Sequence, residues 1–136
     1  MLLLFSLGCA TAAPAVSLSV TPCPSSPNCV STADPATDAQ HHAAPLSYIG
    51  DSAAAKARIK AIVAAMPRTA LVAETDEALH FTFTSRIMRY VDDVVFVVRD
   101  GKIHFRSSSR VGYGDMGVNR ARMDAIAAAW AQGEGG

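Results

Sequence analysis

Val94-Val95-Phe96-Val97-Val98-Arg99-Asp100-Gly101-Lys102-Ile103-His104-Phe105-Arg106-Ser107 is the stretch that decides the fold. Two runs rich in β-branched and aromatic side chains flank the dipeptide Asp100-Gly101. A two-residue hairpin turn needs positive φ at both central positions, which Asp and Gly tolerate best. The two runs are therefore expected to be antiparallel neighbours. Ile103 and Phe105 face one way, as on a half-buried sheet.

Upstream, Leu79, Phe81 and Phe83 alternate with His80, Thr82 and Thr84, which predicts another strand, and Thr69 to Glu74 predicts one before it. Further back, Ile59, Ile62, Val63 and Met66 form one apolar stripe at helical spacing. Asp51 or Ser52 is the expected N-cap, Tyr48-Ile49 the staple, and Lys56, Arg58 and Lys60 the solvated face, with Pro67 ending the helix. Downstream, Met123, Ile126 and Trp130 predict a second helix from about Asn119 to Gln132, with Gly133 just past its end. The expected class is α+β: a mostly antiparallel sheet of about four strands, flanked by an N-terminal and a C-terminal helix that cover one face.

The chain has 136 residues and 14.2 kDa, the size of one domain. Half the residues are hydrophobic, and twelve Lys+Arg balance twelve Asp+Glu, so no net field draws it to nucleic acid. No apolar run is long enough to be a membrane-spanning helix. Leu2-Leu3-Leu4-Phe5-Ser6-Leu7-Gly8, followed by small residues from Cys9 to Ala15, has the outline of an export signal, without the positive segment that usually opens one. Gly8-Cys9 fits the end of a lipobox with Cys9 acylated, whereas Ala10-Thr11-Ala12 fits an ordinary signal peptidase; an unprocessed cytosolic chain is the third reading. Export to the bacterial cell envelope, on the periplasmic side, is the expectation. The expected layout is a signal over 1–15, an extended Pro-rich leader with a cysteine loop over 16–46, one α+β domain over 47–132 and a flexible tail over 133–136.

The chain has three cysteines, Cys9, Cys23 and Cys29. Either cleavage reading accounts for Cys9 and leaves an even pair. Five residues, two of them proline, separate Cys23 from Cys29, so a structural disulfide is within reach. A redox pair would want two intervening residues, and a metal would need more ligands than the adjacent His41 and His42 supply.

Two segments stand out: Cys23-Pro24-Ser25-Ser26-Pro27-Asn28-Cys29-Val30-Ser31-Thr32, and Arg106-Ser107-Ser108-Ser109-Arg110-Val111-Gly112-Tyr113-Gly114-Asp115-Met116-Gly117-Val118-Asn119-Arg120. With Tyr90-Val91-Asp92-Asp93-Val94 between them, they resemble the signatures of the domain of unknown function 1499 family of bacterial and plastid proteins, over about Pro22 to Trp130. The resemblance implies an exported or membrane-associated small domain, and it brings no catalytic residues with it.

Gly112 to Gly117 matches G-x-G-x-x-G, but a dinucleotide fold needs a further parallel strand with an acidic residue after the helix. The glycines are better read as permitting positive φ. Arg106, Arg110, Arg120 and Arg122 surround a serine triplet and a helix start, which suits an anion. The candidate ligand site is thus Arg106, Ser107, Ser109, Arg110, Asp115, Asn119 and Arg120. The competing reading pairs these arginines with Asp92, Asp93 or Asp115 and makes Asn119 the helix cap. A hydrolase would draw on Ser107, Ser108 or Ser109 with His104 and Asp115, though such triads are defined by geometry, not residue type. No catalytic residue, metal or cofactor is assigned. The expected function is an envelope-associated domain that binds or scaffolds. Its partner would be an envelope protein or a small acidic ligand, and a lipid anchor would come through Cys9.

Overall fold

The computed structural model describes residues 18–133. Chain order is β1 (Cys29–Ser31), β2 (Leu46–Ser47), α1 (Ser52–Ala64), β3 (Thr69–Glu74), β4 (Ala78–Thr84), β5 (Val91–Arg99), β6 (Lys102–Ser109) and α2 (Val118–Gly133). The sheet is antiparallel in the order β1-β6-β5-β4-β3, and β2 pairs with β6 as well. Asp100 and Gly101 take φ of 53° and 76°, so Arg99 faces Lys102 across a two-residue turn.

The class is α+β with two helices, as expected, but the sheet has six strands where about four were predicted. The added strands are β1 and β2, three and two residues long, from the stretch expected to be an extended leader. Such short strands carry no readable period. From residue 18 onward that stretch packs on the sheet: Val30, Ala43 and Leu46 are buried in the main core, and Asn28, Ser31, Asp34 and His41 are buried polar residues. Cys23 and Cys29 are disulfide-bonded with Cα atoms 5.8 Å apart. Residues 1–15, Cys9 among them, lie outside the described residues.

Leu79, Phe81 and Phe83 on β4, Val94, Phe96 and Val98 on β5, and Ile103 and Phe105 on β6 make one apolar sheet face. Ile59 and Val63 of α1 and Met123, Ile126 and Trp130 of α2 cover it. Asp51 caps α1 through Oδ1 to the Ala53 amide, 3.1 Å. Of the expected staple, Tyr48 packs against the core while Ile49 is fully exposed. Arg58 is not merely solvated: its guanidinium stacks 3.8 Å from the Trp130 ring centroid and donates to the Trp130 carbonyl. Gly133 is the last residue of α2 rather than the one beyond it. On the other sheet face, Leu18 and Val20 pack against Ala78, Val95 and Val97.

Candidate functional site

The two signature segments meet at one end of the sheet. β6 runs into the loop 110–117, which leads into α2, while β1 with the disulfide loop lies along the edge of β6. The alternation of β6 sends Ser107 and Ser109 toward α2 and Arg106 to the opposite face, with the other face's His104. Asn119 is completely buried where these elements converge. Its Oδ1 accepts from the Ser107 hydroxyl at 2.7 Å and Arg122 Nη1 at 2.9 Å. Its Nδ2 donates to the Asn28 carbonyl at 3.1 Å, Ser109 Oγ at 2.9 Å and Asp115 Oδ2 at 2.7 Å. Two N–H bonds thus serve three acceptors, and one amide joins the cysteine loop, β6 and the start of α2.

Asn119 is not the cap of α2. Asp115 does that work, accepting from the Gly117 amide at 2.9 Å and the Asn119 amide at 3.0 Å. Burial would raise the Asp115 carboxyl, but the hydrogen bonds from Asn119 and Gly117 outweigh it and hold it below its ordinary value. Gly112 and Gly117 take φ of 82° and 78°, which lets the loop turn back on itself; Met116 also has positive φ.

The arginines are largely committed to the fold. Arg110 makes a forked pair with Asp93, Nε to Oδ2 at 2.8 Å and Nη2 to Oδ1 at 2.9 Å, so its partner is Asp93 and not Asp115. His80 Nε2 lies 2.7 Å from the same Asp93 Oδ1. Burial works against ionisation of Asp93, yet the hydrogen bonds from Arg110 and His80 prevail and lower its pKa. Arg122 Nη2 reaches Asp92 at 2.7 Å, and its guanidinium stacks 4.5 Å from the Phe83 ring centroid. Arg120 donates to the carbonyls of His42 at 2.7 Å, Gln40 at 3.0 Å and Ala39 at 3.4 Å, tying α2 to the former leader. Arg106 differs: its Nε is buried with no hydrogen-bond partner among the described residues. Burial weighs against its charge, offset in part by Asp34 and Asp93 nearby.

The residues considered for hydrolysis are not assembled. His104 sits on the opposite sheet face from Ser107, with Nδ1 3.4 Å from Thr32 Oγ1, while Asp115 caps α2. Among the described residues no group of three or more His, Cys, Asp or Glu is placed to hold a metal ion.

His41 has a structural role that the sequence did not disclose. Its Nε2 lies 2.9 Å from the Ser26 carbonyl and its Nδ1 2.7 Å from Asp38 Oδ2. Both ring nitrogens face acceptors, so the imidazolium is favoured. The Ser26 carbonyl and the Asp38 carboxylate raise its pKa above 6.5. A raised pKa adds stability that is complete below 6.5 and fades as pH rises through the folded value. The advantage of wild type over His41→Gln in thermal melts is therefore expected to be largest in mildly acidic buffer and to shrink on the alkaline side. An advantage that grows with pH would refute the assignment.

Beside the Asn119 network lies a cavity of about 470 Å³, lined by Ser85, Tyr90, Asp92, Ser109, Val111, Gly112, Gly114, Asp115 and Val118. Tyr90, Val111 and Val118 are exposed at its mouth. All three lie in the quoted signature segments, but sequence reasoning did not place them in the candidate site, because nothing local separates an exposed apolar side chain from a core one. The Tyr90-to-Val94 landmark did point to the place.

Together these features define a small α+β domain, stapled by a disulfide and by a polar network, with a loop-bordered cavity at one sheet end. The chain belongs to the family described as Protein of unknown function (DUF1499), whose family model matches residues 19–130. Neither a curated protein nor a solved structure matches it.

Proposed function

We propose that this chain is an exported, envelope-associated domain that acts by binding rather than by catalysis, and that its second signature frames a contact surface instead of supplying the contacts. The observation that carries this is the commitment of Arg110, Arg120 and Arg122 to partners within the chain. A ligand would meet the cavity between the 85–90 and 110–118 loops. Capture of an acidic small molecule is the alternative reading, and Arg106 is the group that keeps it alive through its unpartnered Nε. Export and attachment through Cys9 rest on the residue types of 1–15; mature protein whose Cys9 carries no acyl mass by mass spectrometry would overturn the lipid anchor.

The test of the frame is a thermal melt of wild type and Arg110→Ala at low and high salt. Arg110 is 46% exposed and its partner Asp93 14% exposed. Half of the pair faces water, and Asp93 retains His80, so the cost is expected to be about 1–2 kcal/mol. In a domain of this size that is roughly 4–8 °C. An unchanged or raised midpoint would reject the frame and promote Arg110 to a ligand-binding group.

A further inference from the structure

The loops 85–90 and 110–118 border the same cavity and carry much of the exposed large apolar surface among the described residues. Ile87 is 85% and Met116 102% exposed, and Met88, Tyr90, Val111 and Tyr113 are exposed with them. A water-soluble surface rarely gathers so many large apolar side chains at one end without a contact to make. The 85–90 loop is pre-shaped: the Ser85 amide donates to the Tyr90 carbonyl and the Tyr90 amide to Ser85 Oγ, both at 2.9 Å. Its tip, Ile87-Met88, is therefore held out from the sheet at little further ordering cost.

Charge decides between occupants. Arg86 and Arg89 flank the tip, and neither side chain has a hydrogen bond or ion pair among the described residues. The carboxylates at this end are already engaged: Asp92 by Arg122, Asp93 by Arg110, and Asp115 by the start of α2. What remains is apolar and aromatic tips bracketed by uncompensated guanidinium groups. That combination suits an anionic bilayer surface, where apolar side chains enter the headgroup boundary and arginines stay at the phosphates.

We propose that this loop end docks the domain onto an anionic lipid surface, with Ile87, Met88, Tyr113 and Met116 entering the interface and Arg86 and Arg89 contacting phosphate. The inference rests on the loop end being the contact region, and it names what is contacted. Tryptophan emission from the full chain tests it locally once the wild-type spectrum, which comes from the buried Trp130, is subtracted from that of each variant. Met88→Trp, or Ile87→Trp should that variant fold poorly, is mixed with vesicles of equimolar phosphatidylglycerol and phosphatidylcholine. Ile49→Trp is the control, since Ile49 is exposed beside the Gly101 turn at the other end of the sheet. The expected result is a blue shift for the loop tryptophan on anionic vesicles and not on pure phosphatidylcholine, with none at position 49. Arg86→Gln with Arg89→Asn in the Met88→Trp background should weaken partitioning roughly thirtyfold. No shift at the loop, an equal shift at position 49, equal binding to neutral vesicles, or indifference to the two arginines would each overturn the proposal. The Arg110→Ala melt is read without lipid, so the two can fail separately.

Discussion

Replacing Arg122 with methionine is expected to lower the melting temperature by roughly 15 °C. The Arg122 and Asp92 side chains are 10% and 11% exposed and meet at 2.7 Å. Arg122 also donates to Ser107 Oγ and Asn119 Oδ1 and stacks on Phe83. Methionine keeps the apolar stem but strands a buried carboxylate, at a cost of about 3–5 kcal/mol. Most of that penalty belongs to the unpaired charge, not to the pair itself. Adding Asp92→Asn should therefore recover a good part of the loss, and a double-mutant cycle measures how much. A loss of only a degree or two for Arg122→Met would show that Asp92 finds water or another donor.

Asn119→Asp probes the same network from its centre and preserves volume almost completely. Nδ2 donates to Asn28, Ser109 and Asp115; an aspartate oxygen there would accept only, and it would sit where Asp115 Oδ2 is 2.7 Å away. Two lost donors and a like-charge contact in a fully buried position are expected to cost about 4 kcal/mol. One proton shared between the two carboxyls relieves the repulsion, so the gap to wild type should narrow as pH falls into the carboxylate range. A gap that is independent of pH would indicate that the lost donors alone account for the damage. Asn119 and Arg122 share a hydrogen bond, so the two losses should not add.

The unequal effects expected at Arg110 and Arg122 follow from placement. Both arginines hold one of two adjacent aspartates, Asp93 and Asp92, whose side chains point to opposite faces of β5. The Arg122 pair lies under the helices, while Arg110 stays half in water. Nothing in the order Asp92-Asp93 says which arginine each will meet.

Features governed by neighbours a few residues away were determined by the sequence alone. The Asp100-Gly101 hairpin, the alternation of β4 and the apolar stripes of both helices depend on local φ preference and side-chain period, and the structure has them where the residues place them. The Cys23–Cys29 link, closed over a short Pro-rich loop, belongs with these. Tertiary structure decided the rest. β1 and β2 exist because β6 offers a free edge, not because three or two residues prefer extension. Arg110 met Asp93 rather than Asp115 because the β5–β6 register sets the two on one sheet face, and Asp115 rather than Asn119 became the cap because folding buried the Asn119 side chain against Asn28, a residue 91 positions away. A buried polar group takes whichever partners the packed chain brings within reach, since leaving one unsatisfied costs more than any local preference supplies.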